Sequence, residues 1–99
     1  MKKIILGLTL ISTMILAADG ASLYSKCAGC HGSQGEKKAL GKSKIIQDMT
    51  KMDLVATLNG YKDGSYGGAM KGIMRSQIVR LSTEDIEALA LHITTLKNK

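Results

Sequence analysis

The chain has little of its own with which to fill a hydrophobic core. Its 99 residues include no Phe and no Trp, and the only aromatic residues are Tyr24, Tyr61 and Tyr66. Aromatic side chains are the ones that bury the most area. The deficit grows once the N-terminus is read. Lys2 and Lys3 precede an apolar run over 4–16, and Ala17 and Ala18 follow it before Asp19. This is the three-part layout of a secretory signal. Thirteen helical residues reach only about 20 Å, short of the roughly 30 Å hydrocarbon core, so the run is not a membrane span. Cleavage after Ala18, the preferred cut despite Leu16 three residues before it, leaves one domain over 19–99. That domain has 81 residues, with 12 basic against 8 acidic and a net charge of +4. A domain of this size builds a marginal core, and two cysteines allow at most one disulfide. A large bound group is expected to complete the interior.

The pattern along 19–99 is helical, with Gly-rich loops and no alternating strand runs. Asp19 is placed to cap a first helix running to about Cys30. Gly32, Gly35 and Gly41 break the next stretch, and Lys37, Lys38, Lys42 and Lys44 keep it solvated. A short helix is expected near 43–49 with Ile45, Ile46 and Met49 on its apolar side. Thr50 and Asp53 have capping-box spacing ahead of a helix with Leu54, Val55 and Leu58 buried, ended by Gly60. Five glycines over 60–72 then make a loop able to lie close to a flat ligand. Ser82 and Asp85 form a second capping box. The last helix carries Ile86, Leu89, Ala90, Ile93 and Leu96 on one face, with Lys97 and Lys99 near its C-terminus.

The stretch that carries chemistry is Cys27-Ala28-Gly29-Cys30-His31. C-x-x-C-H is the attachment sequence for c-type haem. Positions i, i+3 and i+4 share one helical face, so both thiols are placed to form thioethers with the haem vinyl groups and His31 to reach the iron. A zinc site would need four ligands at finger-like spacing, and Cys27, Cys30, His31 and His92 do not supply it. A thioredoxin-like pair would need a strand–helix scaffold. A plain disulfide would need no following histidine. For the second axial position, chemistry alone leaves Met49, Met52, Met70, Met74 and His92 open. Methionines are most often core gap-fillers, and Met49 and Met52 read that way. His92 reads as a packing residue beside the apolar stripe of the last helix.

These stretches resemble the small bacterial class I monohaem cytochromes c of the c-553 type. The likeness spans roughly 19–96 and is carried by DGASLYSKCAGCHG at 19–32, KKALGKS at 37–43, GYKDGSYGG at 60–68 and IMRSQIVRLSTEDIEALA at 73–90. The resemblance implies an all-α fold of four to five helices wrapped round one covalent haem c. It implies His31 as proximal and Met74 as distal iron ligand, leaving Met70 as packing or surface. It implies that the first and last helices cross, with Gly20 and Tyr24 meeting the 89–93 segment. His92 departs from the aromatic residue usual there. Many relatives orient the proximal histidine with a proline carbonyl. This chain has no Pro, so another loop carbonyl is expected to do so. Tyr61 and Tyr66 are candidate haem neighbours. Leu40, Leu54, Leu58 and Leu89 are the expected haem lining.

The implied activity is outer-sphere electron transfer in the periplasm, not enzymatic catalysis. Met/His ligation raises the potential. Lys26, Lys37, Lys38, Lys42, Lys62 and Lys71 lie on segments expected around the haem edge, where a basic ring steers the protein to an acidic patch on its partner. The partner classes are quinol-oxidising complexes, terminal oxidases, peroxidases and dehydrogenases. The expected protein is a monomer with no membrane span after cleavage. Nucleic-acid binding has no supporting motif. The competing reading is a haem-based ligand sensor or small peroxidase with an open sixth site. The distal loop offers it no second histidine and no placed acid–base pair.

Overall fold

The computed structural model describes residues 19–41 and 43–97. The signal expected over 1–18, together with Lys42 and Lys99, lies outside them. The described residues form five α-helices and two single 3-10 turns, with no strand among them. The helices are α1 (Gly20–Tyr24), α2 (Ala28–His31), α3 (Lys51–Asp63), α4 (Lys71–Ile78) and α5 (Thr83–Leu96), and the turns are Ala39–Gly41 and Ile46–Asp48. None of these helices is long and apolar enough to cross a membrane.

α5 is the spine. Ser82 accepts from the Asp85 amide at 3.0 Å and the Asp85 carboxylate takes the Ser82 amide at 3.1 Å, which closes the expected capping box. Ile86, Leu89, Ala90, Ile93 and Leu96 are all buried, as the periodicity requires. They join Tyr24, Leu54, Leu58, Ile78 and Leu81 in one cluster. Each such aliphatic side chain contributes about 1.5–3 kcal/mol of transfer free energy. α3 packs on α5, with Lys51 paired to Glu87 at 3.0 Å on the outside. Lys97 reaches Asp48 at 3.2 Å and ties the end of α5 to the second 3-10 turn. Both pairs are solvated and contribute about 0–1 kcal/mol each.

α1 crosses α5 at a point where only a glycine fits. A Cβ on Gly20 would stand 2.4 Å from the Ala88 carbonyl oxygen and 2.8 Å from the His92 Cβ. Tyr24, one turn on, meets the His92 ring at 5.7 Å between centroids. His92 thus takes up the aromatic contact at the crossing.

Several local expectations change. The first helix is not continuous to Cys30. It stops at Tyr24, and α2 restarts at Ala28. The amides of Ser25, Cys27 and Cys30 each donate to the carbonyl three residues back, and the Ser25 hydroxyl also donates to the Ser22 carbonyl. Those i−3 bonds compete with the i−4 ladder. Asp19 occupies the N-cap position of α1 but its side chain caps nothing. The helix expected near 43–49 is a single 3-10 turn with Ile45, Ile46 and Met49 half-buried. α3 does not end at Gly60. It runs to Asp63 and terminates on Gly64, whose left-handed backbone (φ 85°) is the conformation glycine adopts without strain. Gly60 stays inside because the Tyr66 Cβ packs where its own would be, 2.6 Å away. Thr50 does cap α3, accepting from the Asp53 amide at 3.1 Å. Val55 is half-buried, and Met52, expected as core filler, is 80% exposed.

Candidate haem-attachment site

The motif residues sit where one short helix begins and ends. Cys27 is the N-cap of α2 and His31 is its last residue. The His31 amide donates to the Cys27 carbonyl at 2.9 Å and the Cys30 amide to the same carbonyl at 3.2 Å. That local winding sets the three side chains on one side of a single turn. Both cysteines are free thiols. Cys30 is exposed. Cys27 is half-buried with its sulfur 3.9 Å from the Leu23 carbonyl. Burial pushes the Cys27 thiol above its ordinary value, with Lys26 opposing.

His31 is 7% exposed. Its Nδ1 is enclosed and has no hydrogen-bond partner, and no other bond of the ring to a described residue exists. Burial holds its pKa below the usual histidine value, which keeps the imidazole neutral and a ligand at neutral pH. A buried polar atom without a partner costs about 1–3 kcal/mol. No carbonyl takes the role expected for one. The neighbouring His31, Gly35 and Ile45 carbonyls accept from Lys37, Gln47 and Asp48 amides at 2.9, 3.0 and 3.1 Å.

The other candidates fall into two groups. Met74, on α4, is half-buried and packs against the core cluster, whereas Met70, the α4 N-cap, is 48% exposed. Tyr61 and Tyr66 meet edge to face at 5.1 Å, and Tyr61 touches the core. Leu40 projects from the first 3-10 turn, which packs against α2, and is 60% exposed on a left-handed backbone (φ 55°). Strain of that sort persists where function over-determines it. Of the expected lining, Leu54, Leu58 and Leu89 are instead closed into the protein's own core. The protein supplies more core than its composition suggested, because α5 packs aliphatic residues at high density.

One contact beside the motif had no signal in its spacing. The Tyr24 hydroxyl donates to the Gly32 carbonyl at 2.5 Å, just after His31. Burial raises the Tyr24 phenol to about 12, chiefly by desolvation, so the hydroxyl remains a donor.

Two thiols and an unpartnered imidazole on one helical turn fit a covalently held haem, and Met74 on α4 offers a half-buried thioether sulfur. This defines the class: a small helical protein built round one haem c. The cytochrome c family model matches residues 17–97. A cytochrome c-553 from Nitratidesulfovibrio vulgaris is 36% identical over 102 residues, covering 97% of this chain and 100% of that protein. One from Helicobacter pylori (strain J99) is 42% identical over 99 residues, covering 98% and 100%. A third, from Desulfomicrobium norvegicum, is 42% identical over 77 residues, covering 77% and 94%. The chain belongs to the cytochrome c family, with the one covalent haem c and the non-enzymatic electron transfer of that family.

Proposed function

We propose that the protein is a periplasmic one-electron carrier whose haem is held by thioethers from Cys27 and Cys30, with His31 and Met74 as axial ligands. The carrying observation is the buried His31 imidazole, whose Nδ1 has no hydrogen-bond partner and which lies on the same turn as both thiols. The haem, when bound, supplies the one-electron couple.

The chain's own residues do the rest. His31, kept neutral by burial, presents a ring nitrogen in both oxidation states. The Met74 sulfur favours the reduced iron, and Met/His ligation raises the potential. Retaining both ligands keeps reorganisation small. Leu40, Tyr61 and Tyr66 border the group and limit access of water. Partners are respiratory redox proteins with an acidic docking patch: a quinol-oxidising complex, a terminal oxidase, a peroxidase or a dehydrogenase. Lys26, Lys37 and Lys38 are exposed and free to steer encounter. Lys62 and Lys71 also serve the fold, donating to the Leu81 and Gly64 carbonyls. The working unit is a monomer, released from the signal segment at Ala18.

Absorption of the exported protein, oxidised and reduced, tests this reading. A c-type spectrum with a sulfur–iron charge-transfer band, lost in Met74→Ala and kept in Met70→Ala, is the expected result. A high-spin spectrum that shifts when small ligands are added would replace the carrier with the ligand sensor or peroxidase.

A further inference from the structure

We infer that Tyr24 is a positioning residue for His31, acting through the Gly32 carbonyl and held by His92 at the α1–α5 crossing. The inference rests on the reading of His31 as an iron ligand.

A metal-bound histidine normally takes its ring orientation from an acceptor on its other nitrogen. His31 has no such acceptor, because Nδ1 is enclosed and unpartnered. Its orientation therefore has to come from the main chain. That main chain is pinned on both sides. The His31 and Gly32 amides donate to Cys27 and Ala28 carbonyls, each at 2.9 Å. The His31 carbonyl accepts from the Lys37 amide at 2.9 Å. The Gly32 carbonyl accepts twice, from the Gly35 amide at 3.1 Å and the Tyr24 hydroxyl at 2.5 Å.

Every one of those donors except Tyr24 belongs to the motif turn or the loop directly after it. Tyr24 alone reaches this turn from another helix, and it alone is a side chain. It is 3% exposed, so its hydroxyl has no water to turn to. Its ring is held by the His92 ring at 5.7 Å, and its helix is locked by the Gly20 contact with Ala88. The chain of contacts runs from α5 through His92 and Tyr24 to the residue that follows the ligand. The crossing of the terminal helices thus doubles as the brace of the proximal ligand.

The imidazole plane of an axial histidine sets the pattern of haem-methyl shifts in the ferric state, which a general loss of stability does not change. The test compares NMR spectra of oxidised holoprotein for Tyr24→Phe, His92→Phe, His92→Ala and a stability control, Leu96→Val. Leu96 lies in the core as the last residue of α5. The expected result is a shifted methyl pattern in Tyr24→Phe, a smaller shift in the same direction in His92→Ala, and the parent pattern in His92→Phe and Leu96→Val. A Tyr24→Phe protein that is less stable but keeps the parent pattern overturns the inference and leaves Tyr24 as packing. Should Tyr24→Phe fail to accumulate, 3-fluorotyrosine placed at 24 keeps the packing and strengthens hydroxyl donation. A shifted pattern then supports the brace, and an unchanged one overturns it. A parent protein that carries no covalent haem defeats the ligand reading itself, and its absorption spectrum distinguishes that failure from the loss of the brace alone.

Discussion

The two sides of the candidate haem site are built differently. On the His31 side, residues 27–37 are stitched by successive backbone bonds and tied by the buried Tyr24 hydroxyl to α1, which meets α5 at Gly20. On the Met74 side, α4 carries only Ile78 as a fully buried residue, while Met70 and Ile73 are each 48% exposed. Side chains hold it to the end of α3: Arg75 Nε donates to the Lys62 carbonyl at 3.1 Å and Lys71 Nζ to the Gly64 carbonyl at 3.1 Å. Local stability follows buried contact and protected hydrogen bonds. The His31 side is therefore the fixed wall and the Met74 side the yielding one. On the proposed ligation, loss of a ligand would fall on Met74.

The largest effect expected follows from cutting the fixed wall at its covalent anchor. Cys27→Ala and Cys30→Ala remove one thioether each, and the double variant should lose covalent haem altogether and most of its cooperative fold. Haem staining on denaturing gels and thermal melts followed by circular dichroism check this. A haem-free double variant that melts as sharply as the parent would show that the aliphatic core round α5 is sufficient alone. Next comes the yielding wall. Met74→Ala should lower the reduction potential and open the iron to added imidazole, with little change in stability, whereas Met70→Ala should do neither. Voltammetry and ligand titration separate the two, and a reversed pair would move the ligand to Met70.

The contrast between the walls also explains what was legible in the sequence. The Cys27–His31 motif and α5 were legible because their information is local: a fixed spacing in one case, a capping box and a 3.6-residue apolar repeat in the other. The break between α1 and α2 was not, because Leu23 and Cys27 have helical spacing and the i−3 bonds that interrupt the helix leave no pattern in residue type. α4 has no counterpart among the expected helices: the Gly-rich loop expected over 60–72 overlaps its first two residues, and no helix is expected between that loop and the last helix. At eight residues, with Gly72 in its first turn, α4 is too short to carry a sustained apolar repeat. Gly60 was taken for a stop because nothing in the chain order shows that Tyr66 folds back over it. Nothing in residue type announces that Leu40 stands exposed on a left-handed backbone, because that conformation is set by the turn around it.

The helix crossing behind the fixed wall gives the next test. Gly20→Ala drives a methyl group against the Ala88 carbonyl, which is backbone and cannot swing aside. Overpacking of this kind costs about 1–3 kcal/mol, and chemical denaturation of holoprotein should report it. Alkaline pH reaches the same wall through Tyr24. Its phenol is raised from 10.0 to about 12 by burial, so above the ordinary value the unfolded chain releases a proton that the folded chain retains. Stability should fall from about pH 10 to about pH 12 by this linkage, and Tyr24→Phe should flatten that part of the curve. An equal slope in the variant would assign it to other groups.

The smallest effect expected lies in the yielding wall. Gly64 ends α3 with φ 85° and has open space where a Cβ would stand, so a substitution there meets strain without a clash. Gly64→Ala should cost about 1 kcal/mol, the difference between glycine and other residues in the left-handed region. The loop it opens leads into α4, and the Gly64 carbonyl is the acceptor for Lys71. If the Met74 side yields, part of that cost should appear as tighter binding of external imidazole to the oxidised protein, with the proximal haem-methyl pattern unchanged. If stability falls but imidazole affinity does not move, α4 is held by its own packing, and the two walls are more alike than their hydrogen bonds suggest.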